Sequence, residues 1–261
     1  MLNGKVALLT GSVGGIGYAS AEALAEAGCN IVLNGIEEEE KGVHCADVLS
    51  KKYGVESIYV RADLRKIHEI QDLVGRSNEQ FGSVDVVVNN AVVRHFALTE
   101  DFSAEDWDDA MSVNLSAAFH IIRLSLPGMK SSGWGRIVNI ASVLGTFAMR
   151  ERVDYVTSKT GLIGLTRAVA LETLEFDITC NAVCPGAVLT PASDERIRKL
   201  MVAEDLDRAA ATKKFLADRQ PAGRFVEQAS IAKVVSFLCM PFSQDITGVS
   251  LPVDAGWSVG R

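Results

Sequence analysis

The stretch that decides the fold is Lys5-Val6-Ala7-Leu8-Leu9-Thr10-Gly11-Ser12-Val13-Gly14-Gly15-Ile16-Gly17. Lys5 to Thr10 is a short apolar run, long enough for a buried strand, and it ends in a glycine-rich turn. Ile16 to Ala27 follows, rich in Ala, Leu and Glu, and reads as a helix that Gly28 stops. Glycines at such a strand-to-helix turn let the backbone bend sharply. They also let a pyrophosphate rest against main-chain N–H groups at the positive end of the helix dipole. A glycine cluster alone is weak evidence and fits a plain turn. Its position after a strand, before a helix and at the start of an alternating pattern gives it weight.

That pattern continues outward. Ile31–Leu33, Ser57–Val60, Val84–Val88, Arg136–Ile140, Ile178–Val183 and Val249–Val253 read as strands. Glu38–Tyr53, Ile67–Gln80, a long segment Ser103–Leu124 and Asp154–Glu172 read as helices. Ser103 suits an N-cap, with Asp106 in the first turn where negative charge is favoured. Strands apolar on both faces, separated by helices, predict a single Rossmann-type α/β domain over 1–261: a doubly wound parallel sheet with helices on both faces. The charged stretch 191–220 interrupts the rhythm and reads either as a helical substrate lid or as a passive surface helix pair.

Composition narrows the function. The chain has 261 residues and a net charge of -7. That argues against nucleic acid as a partner, since its phosphates need a basic surface. The opening residues show no signal-peptide pattern, and no apolar run approaches the ~20 residues of a bilayer span. Five cysteines, Cys29, Cys45, Cys180, Cys184 and Cys239, form no C-x-x-C pair and read as reduced thiols of a cytoplasmic protein. The histidines show no metal-ligand spacing.

At the end of strand two stand Leu33-Asn34-Gly35-Ile36 and then Glu37–Glu40. Neither this segment nor the glycine turn holds an Arg or Lys for a ribose 2′-phosphate, which favours NAD by exclusion. No Asp is present for the ribose hydroxyls, so Asn34 or the backbone must serve. Tyr155 and Lys159, four apart on a predicted helix, share one face, where the ammonium can lower the phenol pKa. Ser142, at the end of a strand just upstream, can hydrogen-bond a reacting oxygen.

Taken together, the T-G-x-x-x-G-x-G turn, Asp63, Asn89-Asn90-Ala91, Asn114, Ser142, Tyr155, Lys159 and Pro185-Gly186 resemble the short-chain dehydrogenase/reductases over essentially the whole chain. The resemblance implies an enzyme that moves a hydride between a nicotinamide and an alcohol/carbonyl pair. It implies Tyr155 as acid/base, Ser142 orienting the substrate oxygen, Lys159 tuning Tyr155 and holding a ribose, and Asn114 holding a water. The cofactor candidates are Gly11, Ser12, Gly15, Ile16, Gly17, Asn34, Gly35, Asp63, Leu64, Asn89, Ala91, Tyr155, Lys159, Pro185, Gly186, Val188 and Thr190. Asp63 would meet the adenine edge and Thr190 the carboxamide. One departure is Val92, where the family has glycine; valine adds bulk beside the cofactor.

Within the family the resemblance is strongest to bacterial D-3-hydroxybutyrate dehydrogenases, through Ile31–Gly35, Ala97-Leu98, Asn114–Ala117, Gly135–Ile137, Gln220-Pro221 and Trp257. That group's carboxylate-holding positions fall on Arg94, Leu144, Arg152 and Arg196, and its tryptophan on Ala187. With Ser142, Tyr155 and Trp257 these are the substrate candidates. Arg94 and Arg196 read either as pocket cations or as surface residues. The expected substrate is a small molecule, a hydroxy/keto acid related to 3-hydroxybutyrate in an altered pocket. Two other readings stay open. One is a dehydrogenase of an uncharged cyclic, aromatic or polyol alcohol. The other is a non-catalytic NAD-binding protein, against which the intact Asn114, Ser142, Tyr155 and Lys159 argue. The family also implies a homotetramer, with no nucleic-acid or membrane partner.

Overall fold

A computed structural model describes residues 1–217 and 220–259. Its centre is one seven-stranded sheet: β1 (Val6–Leu9), β2 (Asn30–Gly35), β3 (Ser57–Arg61), β4 (Val86–Asn89), β5 (Trp134–Ile140), β6 (Asp177–Pro185) and β7 (Ser250–Val253). The order is β3-β2-β1-β4-β5-β6-β7, and every pairing is parallel.

Alternation along β1 shows how sequence builds the layers. Ala7 and Leu9 point to one face, where α1 (Gly15–Glu26), α2 (Glu39–Tyr53) and α9 (Gln228–Cys239) supply Ala21, Leu24, Leu49, Ile231 and Val235. Val6 and Leu8 point to the other, where α3 (Ile67–Phe81), α5 (Ala117–Ser132) and α6 (Val153–Glu172) supply Ile70, Leu73, Ile121 and Val169. Both faces are therefore covered, as the unbroken apolar strands require. The strand order reverses between β1 and β4. There the two chain crossovers leave the sheet in opposite directions, and a crevice opens at the carboxyl ends of the strands.

Two expectations change. The helix read from Ser103 to Leu124 is interrupted. The Ser103 hydroxyl accepts from Asp106 N–H at 3.0 Å and caps α4 (Ala104–Met111), but Ser112–Ser116 form a π-helical turn before α5 begins. The extra residue in that turn buries Asn114 beneath the crevice, and such bulges recur at functional sites. The helix also runs past Leu124 to Ser132, carrying Pro127 inside it and ending at Gly133 in the left-handed region. Tertiary packing of Ile121, Ile122 and Met129 on the sheet outweighs the missing proline donor.

The interrupting stretch folds as α7 (Pro191–Glu204) and α8 (Arg208–Leu216). Residues 218 and 219 of the expected lid lie outside the described residues. Among the described residues no helix is long and apolar enough to cross a membrane.

Candidate active site

A single cleft of about 730 Å³ runs over the carboxyl ends of β1 to β6. At one end lies the glycine turn. Gly11 and Gly15 have φ of +57° and +59°, which side chains rarely adopt. A Cβ on Gly11 would stand 2.8 Å from the Ala91 Cα, whereas one on Gly14 or Gly15 would project into open space. The turn is thus packed on its inner side and bare on its outer side, beside the α1 N-terminus. The first turn of α1 carries no acidic residue. This arrangement fits an anion such as a pyrophosphate. Asn90 fastens the turn to β4: its Nδ2 donates to Thr10 O and Gly11 O at 3.0 and 2.8 Å. The Thr10 hydroxyl accepts from Asn90 and Ala91 N–H.

Several sequence candidates support the wall rather than form it. Ser12 is buried, with its hydroxyl donating to Leu9 O at 2.8 Å. Asn89 turns inward and donates to Asn139 Oδ1 at 2.8 Å. Gly17 packs tightly behind the turn, where a Cβ would overlap Gly11 O and Asn90 Nδ2. Asn34 lines the cleft, but its amide donates to Val60 O and Ala62 O, both at 3.2 Å, and so braces β2 against the end of β3. That leaves Gly35, Ile36 and Glu37 as the cleft's boundary beyond β2. The Glu37 carboxylate lies so close over Gly35 that a Cβ there would overlap it.

The local reading of strand two found no cation nearby; parallel pairing changes that. Arg61 is opposite Gly35 in the register, and its Nε donates to Ile36 O at 3.2 Å. Arg65 also lines the cleft, but it is committed to Asp63 in a two-pronged pair, with its second terminal nitrogen 2.7 Å from Oδ2. This contact outweighs partial burial and holds the Asp63 carboxyl below its usual range.

At the other end, Ser142, Tyr155 and Lys159 come together from β5 and α6. Lys159 is buried and donates to Ile140 O at 2.7 Å. Burial alone would push the Tyr155 phenol up. The Lys159 ammonium, the Arg94 guanidinium, a hydrogen bond with Ser142 and Arg152 together overcome it, leaving the phenol below its ordinary value. Burial, reinforced by Arg94, lowers Lys159 against the pull of Tyr155. Asn114 does not reach the cleft wall. Its Oδ1 accepts from Val93 N–H at 2.8 Å and its Nδ2 donates to Val93 O at 3.1 Å, so the π turn fixes the loop after β4. This arrangement can move a proton at Tyr155 Oη at a pH where free phenol would not.

Arg152 lines this cleft, and so do Arg94 and Arg196, which sequence left open between pocket and surface and which remain exposed there. The Arg94 guanidinium carbon lies 5.7 Å from the Tyr155 ring centre. Arg152 lies 4.5 Å from Tyr155 and 4.1 Å from Phe96, and Arg196, from α7, lies 4.6 Å from Phe96. Arg152 is only 4% exposed, and burial pulls its guanidinium below its ordinary pKa, with Arg94 and Arg196 adding to the effect. Leu144, Trp257, Val143 and Tyr155 form a small apolar cluster, joined by Val92, Met149 and Ala187. Val92 therefore packs into the substrate wall.

Sequence reasoning took Glu37 only as part of the Glu37–Glu40 run, a solvated helix start whose charge would repel a 2′-phosphate, and did not single it out as a residue lining the cleft. It also missed Phe96, Phe215 and Phe225, which line the cleft but carry no motif. Gln220 was noted only as part of a resemblance. It is buried, and its Oε1 accepts from Ala187 N–H at 2.6 Å, holding the loop after β6.

Comparison with known proteins agrees with this geometry. Residues 5–200 match the family model described as short chain dehydrogenase. D-beta-hydroxybutyrate dehydrogenase of Cupriavidus necator is 39% identical over 257 residues, covering 98% of this chain and 99% of the relative. A 3-oxoacyl-(acyl-carrier-protein) reductase of Aquifex aeolicus is 35% identical over 256 residues, covering 98% of each chain. Among solved structures, L-sorbose reductase from Gluconobacter frateurii, in complex with NADPH and L-sorbose, superposes with a TM-score of 0.93. It is 28% identical and covers 98% of this chain and 97% of that one. By the match to the family model over residues 5–200 and by identities above 30% over nearly the full length of the Cupriavidus necator and Aquifex aeolicus relatives, the chain belongs to the short-chain dehydrogenase family, nicotinamide-dependent oxidoreductases acting on CH–OH.

Proposed function

We propose that the protein is an NAD-dependent dehydrogenase of a small hydroxy acid, interconverting it with the keto acid. The convergence of Arg94, Arg152 and Arg196 on the cleft beside Tyr155 carries this reading. Guanidinium forks match carboxylates, and the relatives from Cupriavidus necator and Rhizobium meliloti are named for a hydroxy acid.

In the oxidative direction a bound nicotinamide supplies the hydride acceptor. The chain's own residues do the rest. Ser142 hydrogen-bonds the substrate oxygen, and the Tyr155 phenolate takes its proton. Lys159 keeps that phenolate accessible and binds the nicotinamide ribose. Gly11, Gly15 and Gly17 shape the pyrophosphate cradle, and Asp63 and Leu64 border the adenine. Pro185, Gly186, Val188 and Thr190 border the nicotinamide. Glu37 favours NAD, because its carboxylate would repel a 2′-phosphate. Arg61 and the NADPH held by structural neighbours argue the other way, so cofactor choice rests on Glu37. Closure of α7 and α8 as a lid would exclude water during transfer. Exposed Phe119, Leu171, Leu174, Phe237 and Phe242 support assembly as a homotetramer, and the reduced cysteines support a cytoplasmic setting.

The test is kcat/KM at saturating NAD for hydroxy acids, their neutral amides or esters, and uncharged cyclic, aromatic and polyol alcohols, with Arg152→Ala alongside. Losing a charge-assisted contact costs about 1.5–3 kcal/mol, so Arg152→Ala should cost the acids about 10- to 150-fold more than the amides. Equal losses on charged and neutral compounds would make the arginine structural. The uncharged-alcohol reading would then take over, with the wall of Leu144, Met149 and Trp257 as the binding surface.

A further inference from the structure

The guanidinia in this cleft outnumber the charge that one carboxylate brings. Arg94, Arg152 and Arg196 all line it, and Lys159 adds a fourth cation behind Tyr155. Most carboxylates on the surrounding elements are committed elsewhere. Asp106 and Asp109 flank His95 at 3.3 Å each, and Asp109 also faces Arg65. Asp194, on the same helix as Arg196, pairs with Arg198 and Arg208. Asp154 is fully buried and accepts from His95 N–H at 3.4 Å. It acts on Arg152 through its field, without an ion-pair contact. Among the described residues no carboxylate pairs with Arg94, Arg152 or Arg196. Counting Asp154 and the Tyr155 phenolate against the four cations leaves a surplus of two positive charges.

Arg152 is the most enclosed of the three guanidinia, while Arg94 and Arg196 are exposed. Arg152 is 96% buried on the basis of its 4% exposure, yet it gives a single hydrogen bond, to His95 O at 3.2 Å. Its remaining neighbours are the faces of Phe96 and Tyr155, which attract a guanidinium but satisfy none of its in-plane donors. A buried cation in this state is stabilised when an anion enters with it.

The three arginines are also arranged in sequence outward from the reacting centre. Arg94 and Arg152 flank Tyr155. Arg152 and Arg196 share Phe96, and Arg196 is not among the cations over Tyr155. An anion held at the inner pair leaves Arg196 unserved, one aromatic ring farther out.

We propose that the substrate is a hydroxy acid carrying a second anionic group, its inner carboxylate at Arg94 and Arg152 and its distal anion at Arg196. This rests on the hydroxy-acid reading above and extends it from a monoanion to a dianion. The redox step is unchanged. The carbinol C–H leaves as hydride to oxidised nicotinamide, the O–H proton goes to Tyr155, and the product is the oxo dianion with reduced cofactor and one released proton. Carboxylate and phosphate both fit a guanidinium fork, so the distal group is identified by experiment.

The experiment compares kcat/KM, at saturating oxidised cofactor, for four probes of matched length. They are a hydroxy dicarboxylate, its distal half-amide, a hydroxy carboxylate with a distal phosphate monoester, and an uncharged hydroxy diamide. One of the two dianions is expected to exceed the half-amide by at least about tenfold, mainly through KM. Which dianion leads names the distal group. In Arg196→Gln that ratio should fall to within about threefold, and Arg196→Lys should recover part of it. Calorimetric titration of Tyr155→Phe with the same probes in the presence of oxidised cofactor should give the same ratio in Kd. If both dianions match the half-amide while all three far exceed the diamide, the second anion is refuted and the hydroxy-acid reading stands. If the diamide matches them all, both fall. An Arg196→Gln that lowers dianion and half-amide by the same factor also refutes the proposal.

Discussion

Replacing Gly11 and Gly15 separately by alanine tests whether the turn is packed on one side and bare on the other. Both positions have nearly the same positive φ, so both alanines incur the left-handed penalty of about 1–2 kcal/mol. For Gly15→Ala that is the whole cost to stability, because nothing lies within 4 Å of the new Cβ. Its melting temperature should fall by roughly 2–6 °C. Gly11→Ala adds a methyl 2.8 Å from the Ala91 Cα, a backbone atom that cannot rotate away. Relief requires β1's turn to move off β4, loosening the bonds from Asn90 and Ala91 to Thr10 and Gly11. Weakening two such bonds adds about 1–3 kcal/mol. A total near 2–5 kcal/mol puts the melting temperature down by roughly 5–15 °C. The order reverses for cofactor. Gly15→Ala puts its methyl where the pyrophosphate would lie, so its cofactor Kd, read by calorimetry, should rise at least about tenfold while the fold is barely disturbed. Equal melting temperatures for the two variants, or wild-type cofactor affinity in Gly15→Ala, would refute this account of the turn.

Tyr155→Phe should lower turnover by about 10²–10⁴-fold and leave NAD affinity nearly intact, measured by stopped-flow and titration. Lys159→Ala should damage both, since one ammonium serves phenol and ribose. Because the Tyr155 pKa is lowered against burial by Lys159, Arg94, Ser142 and Arg152, alcohol oxidation should rise with pH and level off below the range of free phenol. Arg94→Gln removes a cation, raises the phenol pKa, and should shift that pH–rate profile upward; an unmoved profile would show that Arg94 lies outside the phenol's field. NAD should be preferred over NADP by more than about tenfold, and Glu37→Gln should narrow that ratio, with an unchanged ratio pointing instead to the backbone of Gly35 and Ile36.

The alternating layers were legible because parallel strands buried on both faces leave unbroken apolar runs such as Val86–Val88, and because glycines such as Gly28 and Gly54 end helices locally. Element ends were less so. The π turn at Ser112–Ser116 and the helix running through Pro127 are set by contacts with the sheet, which no local pattern encodes. The candidate trio was readable for a similar reason: Tyr155 and Lys159 are one helical turn apart, and Ser142 stands two residues after the strand before them.

What the sequence by itself determined was therefore whatever short-range geometry fixes: the strand-turn-helix at Val6–Gly17, the Tyr155–Lys159 face, and the alternation that makes a doubly wound sheet. The tertiary structure decided which side chains meet across the cleft. It turned Asn34 and Asn89 inward, brought Arg61 beside the end of β2, and laid Glu37 over Gly35. It also gathered Arg94, Arg152 and Arg196, residues from three separate segments, around Phe96 and Tyr155. Such meetings depend on strand register and on where α7 lies, and a guanidinium on a surface helix and one in a pocket are spelled the same way in sequence.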